Sequence, residues 1–185
     1  MERKIAKSKN CLVGYHTQEC WLSGLLTEPK PCCHTNAWLG YGYYFWTDLE
    51  FAHYWGLDSK IKTSPTGKYD IYVAHIEEED LLDSVFDEAH YEFFVKTIES
   101  AIEKLKGLGV NERILHEKVN RYLVDKVWRQ ADVKGIVYQD IPANSIGAGR
   151  KYSEIPPLFY LKRIQIIVFD NKIIHNFEAL LEELP

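Results

Sequence analysis

The stretch from residue 14 to residue 56 constrains the fold most: GYHTQECWLSGLLTEPKPCCHTNAWLGYGYYFWTDLEFAHYWG. A histidine, His16, ends a short apolar run. Further on, Gly40-Tyr41-Gly42-Tyr43-Tyr44-Phe45 spaces rings with glycines and runs directly into a helix-start pattern. Glycine in a strand lets another backbone or a ligand come close, because no side chain holds it off. Alternation puts Tyr41, Tyr43 and Phe45 on one face of this strand and Tyr44 and Trp46 on the other.

The rest of the chain reads as mixed elements. Cys11-Leu12-Val13-Gly14-Tyr15-His16 is short and apolar and predicts a strand. Residues 17–23 predict a short helix with Gly24 as its stop. Pro29 and Pro31 mark 27–36 as a loop. Residues 43–46 predict a strand, and Thr47 with Glu50 forms a capping box for a helix that Gly56 closes. Residues 68–76 alternate and are rich in strand formers. The acidic run at 77–80 reads as a turn or helix start. Phe94, Ile98, Ala101, Ile102 and Leu105 share a helical face, followed by Gly107. Asn111 then caps a second helix carrying Leu115, Val119, Tyr122, Leu123 and Val127. Together these predict a helical pair, about 87–131, inserted beside a β-core.

Strands resume at 135–138. Residues 140–157 form a long irregular stretch with Pro142, Gly147, Gly149 and a Pro156-Pro157 pair. A loop of that length within a compact domain is commonly functional. Residues 164–169 predict the last strand, and Asn176 caps a final helix over 177–184. Helices inserted among strands without regular alternation predict an α+β domain.

Composition narrows the classes. With 185 residues, 46% of them hydrophobic and 26% charged, the chain fits one soluble globular domain with a sizeable core. A net charge of −5 disfavours a general electrostatic grip on nucleic acid, though not a local basic strip. No apolar run is long enough for a membrane span. The basic start MERKIAKSKN lacks the apolar stretch of a signal peptide, so a cytoplasmic protein is expected. Cys11, Cys20, Cys32 and Cys33 then read as reduced thiols. Cys32-Cys33-His34 raises zinc, but adjacent cysteines lack ordinary ligand spacing, and packing thiols are the expectation.

Three residues stand out for chemistry. His16 ends an apolar strand, where an isolated histidine is ordinarily structural. Tyr44 lies on the glycine-spaced strand, whose glycines are not the G-x-G-x-x-G fingerprint that opens a dinucleotide-fold helix. Gln165 is the polar residue of an apolar strand. It is either hydrogen-bonded within a central strand or facing water on an edge one.

Taken together, these segments resemble the ADP-ribosyltransferase fold in its histidine–tyrosine–glutamate branch. That branch includes diphtheria-like toxins, poly(ADP-ribose) polymerases and many small bacterial toxins. His16-Thr17 resembles the end of the family's first strand. Gly40-Tyr41-Gly42-Tyr43-Tyr44-Phe45 resembles its G-x-G-x-Y-F, and Ala52-His53-Tyr54 its small residue–x–Tyr on the next helix. Gln165-Ile166-Ile167-Val168-Phe169-Asp170 resembles its last motif, with Asp132-x-x-Gly135-Ile136-Val137-Tyr138 as the strand before it. The likeness covers about residues 10–56 and 132–175 and implies a split β-sheet core. Gln165 stands where polymerising members carry glutamate, as in some small bacterial members.

The resemblance implies that NAD is cleaved at the bond between nicotinamide and ribose. His16 would bind a ribose hydroxyl on the adenosine side, and the Thr17 backbone the nicotinamide amide. Gly42 would give close approach. Tyr44 would stack on the nicotinamide ring, with Tyr54 on its other face, and Gln165 would reach the nearer ribose. An amide orients a hydroxyl but is no general base. The implied activity is therefore transfer of a single ADP-ribose to a protein or nucleic acid, as in a toxin or defence effector with a possible antitoxin or immunity partner. Glu154 is a conceivable substitute carboxylate. The loop before the last strand, with Arg150, Lys151, Tyr152 and Tyr160, would meet the acceptor. The alternatives are a cleft that binds NAD or ADP-ribose without cleaving it, and an interaction protein working through its helical pair.

Overall fold

The structure, a computed structural model, describes residues 10–22, 24–35, 37–140 and 162–180. Seven strands form one mixed sheet: β1 Cys11–Glu19, β2 Tyr43–Trp46, β3 Tyr69–Glu77, β4 Leu81–Asp83, β5 Gly135–Gln139, β6 Ile164–Val168 and β7 Ile174–Ala179. Their order is β4-β5-β6-β2-β1-β3-β7. With the helices α1 Leu49–Trp55, α2 Ile61–Thr63, α3 Glu88–Gly107 and α4 Glu112–Tyr122, this is an α+β protein.

The sheet is unevenly joined. β1 pairs with β3 along its whole length, from Cys11↔Glu77 to Glu19↔Tyr69. β2 pairs with β6 from Tyr43↔Val168 to Trp46↔Gln165. Between β1 and β2, in contrast, a single register pair, Tyr15↔Trp46, holds the two halves together. Beyond that pair the recorded link is a side-chain one, His16 to the Tyr44 carbonyl, and residues 16–19 and 43–45 define the seam.

Alternation sorts the strand residues onto two faces, because directly paired residues point to the same side. Ile136, Tyr138 and Ile167 pack with Leu39, Val119, Leu123 and Trp128 beneath α3 and α4, and Tyr44 joins them. Phe45, Val137, Ile166 and Val168 pack with Ala74, Ile76 and Ile173 on the other face. Trp46 and Ile71 meet Phe51 and Ala52 of α1. No helix of the described residues is long and apolar enough to cross a membrane.

Several sequence expectations need correction. Residues 17–19 are strand, not helix: Thr17, Gln18 and Glu19 continue β1 against Ile71, Asp70 and Tyr69. Pairing with a long neighbour outweighs a weak local helical pattern. The cap of α1 is Asp48, whose carboxylate accepts from the Glu50 N–H at 2.7 Å. Thr47 instead donates its hydroxyl to the Ile164 carbonyl. Gly56 does not end the helix. It is right-handed, and the chain continues through a π-helical turn, Gly56–Lys60, into α2. A Cβ there would lie 2.4 Å from the Tyr69 ring, so this glycine serves close packing. β4 was not expected at all. The final helix is replaced, over the described residues, by β7.

The helical pair is present between β4 and β5. Asn111 caps α4 through the Arg113 N–H, and α4 passes into a π-helical turn, Leu123–Trp128.

Candidate functional site at the seam

β1 delivers His16 to the seam. Its Nδ1 lies 2.9 Å from the backbone carbonyl of Tyr44, so the imidazole spans the gap between β1 and β2 where a ladder bond would otherwise run. A carbonyl can only accept, which makes Nδ1 the protonated nitrogen. Burial then dominates the ring's titration. It holds the His16 pKa down to about 4, against the smaller upward pulls of the Tyr44 carbonyl and Gln18; Lys60 pushes it down further. At neutral pH the imidazole is therefore uncharged, and Nε2 carries a lone pair. That nitrogen is buried and makes no hydrogen bond of ordinary geometry among the described residues; the Gln18 side chain acts on the ring without closing such a bond.

Tyr44 faces the other way. Its ring packs in the cluster beneath α3 and α4. Its hydroxyl donates to Gly40 O at 2.8 Å and accepts from Leu39 N at 3.2 Å. Burial pushes that hydroxyl's pKa well up. His16 thus touches the Tyr44 backbone, not its ring. Gln165 shares the Tyr44 face, since Trp46 pairs with Gln165 and stands two residues from Tyr44. β6 lies inside the sheet, so Gln165 belongs to the central-strand alternative, and its Oε1 accepts from the Tyr138 hydroxyl.

The remaining expected residues divide between structure and seam. Thr17 donates its hydroxyl to Ala52 O at 2.9 Å, tying β1 to α1. Tyr15, two residues before it, is the β1 residue in register with β2, so the Thr17 backbone lies beyond the β1–β2 pairing. A Cβ on Gly42 would come within 2.7 Å of Ile167 and 2.9 Å of the Val168 carbonyl, so β6 is the neighbour that glycine admits. The Tyr54 ring packs beside Phe51, and its hydroxyl donates to Glu50. Arg150, Lys151, Tyr152, Glu154 and Tyr160 lie outside the described residues.

Arg163, just before β6, is buried. Its guanidinium donates to Asp140 at 2.7 Å and lies over Trp46 and Phe51 at 5.0 and 5.7 Å. The pair is buried and staples the ends of β5 and β6.

No family model, curated protein or solved structure matches the chain. The functional reading therefore stands on the residues at the seam. Two of them were not singled out by sequence: Tyr72 and Phe177. Their rings stack at 4.7 Å and 10°, and Phe177 meets His16 edge-on at 6.0 Å. Tyr72 sits in an alternating strand, a signal that marks a face but not a neighbour.

Proposed function

We propose that the seam between β1 and β2 is a cleft for NAD, and that the protein transfers one ADP-ribose unit from it to a macromolecular acceptor. One observation carries this reading: a neutral, buried His16 whose Nδ1 is fixed by a backbone carbonyl, leaving Nε2 as an acceptor with no hydrogen bond of ordinary geometry among the described residues. Buried polar atoms are nearly always paired, so an orphan of this kind calls for a donor from outside. A sugar hydroxyl supplies one. The short β1–β2 register lies where the resemblance would put the division of a split core.

In the proposed reaction the bond between the ribose C1′ and the nicotinamide nitrogen breaks. Nicotinamide leaves with the electron pair, the acceptor's nucleophile bonds to C1′, and its proton passes to solvent. In this reading His16 holds a hydroxyl of the adenosine-side ribose, and the Thr17 backbone holds the nicotinamide amide. Such fixed orientation is a large share of what an enzyme contributes. Gln165 keeps its Oε1 on Tyr138, on the sheet face away from the His16 imidazole, so it is not a ligand of the ribose held there. It brings no negative charge to the developing cation, which favours single transfer over chain growth.

Mass spectrometry of extract protein and RNA after incubation with NAD tests this directly. We expect one ADP-ribose increment on an acceptor, lost in His16→Ala. If no extract gives either an increment or released nicotinamide, the enzyme reading falls.

A second reading is favoured by two bonds. The hydroxyl of Tyr44 and the carbonyl of Gln165 are already engaged within the protein. A cleft built so would bind NAD or ADP-ribose without turning it over. Calorimetric binding with NAD intact after long incubation selects that reading.

A further inference from the structure

His16 Nε2 is buried, so any outside donor needs an opening. Two rings lie against the imidazole: Phe45 at 5.5 Å and Phe177 at 6.0 Å. Phe45 is wholly buried on an interior strand and cannot move without unpacking the core. Phe177 is half-buried on β7, which ends the sheet. Of the two, Phe177 is the ring that can leave.

The backbone has a specific device for aiming it. β7 pairs with β3 at Ile174↔Ile76 and His175↔His75, then at Glu178↔Val73. Two β7 residues, Asn176 and Phe177, therefore stand opposite Ala74 alone. The extra residue is Asn176, held in the left-handed region at φ 50°. This is a bulge, and bulges re-aim side chains. Without it, alternation from Ile174 would send Phe177 to the face away from His16. With it, Ile174 and Phe177 face the same side, and Phe177 lies flat on Tyr72. The Tyr72 hydroxyl accepts from Leu26 N at 3.0 Å, which fixes the plane of that ring.

We propose that Phe177 is a removable cap, and that the Tyr72 face beneath it is the subsite for a planar base on the ligand whose hydroxyl reaches His16. This rests on the nucleotide-cleft reading above. The exchange is ring for ring: a base takes Phe177's place on Tyr72, so opening the cleft costs little stacking. A sugar phosphate without a base has no such compensation. The subsite thereby makes the cleft selective for nucleotides over simple sugars.

The test combines two measurements on the wild-type chain, Phe177→Ala and Phe177→Leu, with the fold of each checked by thermal unfolding. The first is modification of His16 by diethyl pyrocarbonate, read by peptide mass. It reports access to Nε2 whatever the ligand is. The second is calorimetric binding of ADP-ribose and of ribose 5-phosphate. We expect His16 labelling to rise in Phe177→Ala and, less, in Phe177→Leu. ADP-ribose should tighten about tenfold in Phe177→Ala as the open fraction rises. Its advantage over ribose 5-phosphate should persist, because the Tyr72 face remains. Unchanged His16 labelling overturns the cap, whatever binds. Increased labelling with equal affinity for the two ligands overturns the base subsite. If the cap opens but neither ligand binds any of the three proteins, the subsite falls together with the nucleotide-cleft reading, and the wild-type data alone identify that failure.

Discussion

The two banks of the seam are built on opposite principles. On the bank of β2, β6 and β5, polar groups close on one another: Tyr44 on Leu39 and Gly40, and Tyr138 on Gln165. On the bank of β1, β3 and β7, His16 keeps an acceptor with no hydrogen bond of ordinary geometry among the described residues, under a ring that a bulge holds in place. Satisfied buried groups hold a fold in one state; an orphaned one costs free energy until something binds it. The contrast separates the two tasks. Stability should depend most on the first bank and its helical cover, and ligand and proton effects on the second.

The largest effect should come from the helical cover. Trp128 is almost wholly buried and stacks on Phe94 at 6.2 Å and 10°, beneath the first bank. Trp128→Ala should cost about 3–5 kcal/mol in urea unfolding, by lost burial plus the cavity left behind. A cost below about 1 kcal/mol would mean that the helical layer does not anchor that half of the sheet.

Next is the proton. The folded pKa of His16, about 4, lies below the unfolded value of 6.5. The unfolded chain therefore takes up the proton first as pH falls. Stability from this group is complete above about pH 6.5, declines between 6.5 and 4, and is level below. The loss totals about 3 kcal/mol. His16→Gln should flatten that slope relative to the wild-type chain. Parallel pH profiles would show that the imidazole is not held neutral, and the contrast between banks would lose its clearest sign.

Tyr44→Phe should come third. It strips a donor from Gly40 and an acceptor from Leu39 while keeping the ring, at a cost of about 1–3 kcal/mol. Binding of ADP-ribose should be nearly unchanged, since His16 meets the Tyr44 backbone. A large loss of affinity with little loss of stability would put the hydroxyl in the cleft and erase the division proposed for the two banks.

How much of this was legible in the sequence follows the same division. The helical pair was readable because its apolar spacing and the Asn111 cap are local signals that tertiary packing reinforced. So were the cores of β1, β2, β3, β5 and β6, whose residues belong to strands in any plausible context. What failed was whatever partners decide. Thr17, Gln18 and Glu19 became strand because β3 runs alongside them. Three residues, Leu81–Asp83, became β4 by pairing in parallel with β5. Asn176 looked like a helix cap, since the side chain that caps helices also tolerates left-handed backbone. At the seam, His16, Tyr44 and Gln165 were found as residue types in sequence. That His16 would meet a carbonyl rather than a ring depends on register, and register is not written in any one segment.

Asn176 offers the smallest and most pointed test of that last statement. Its φ of 50° is a conformation that asparagine bears better than alanine and that glycine bears freely. Asn176→Ala should cost about 1 kcal/mol, and Asn176→Gly should stay within about 0.5 kcal/mol of the wild-type chain, because relief of strain is offset by a more flexible unfolded state. Both substitutions keep the residue count of β7, so both should keep Phe177 over Tyr72 and His16 protected from labelling. Deleting residue 176 differs in kind. It removes the extra residue, reverses the alternation beyond it and turns Phe177 to the opposite face. If His16 becomes accessible only on deletion, the bulge's register aims the cap; if Asn176→Ala alone exposes it, the local conformation does so instead.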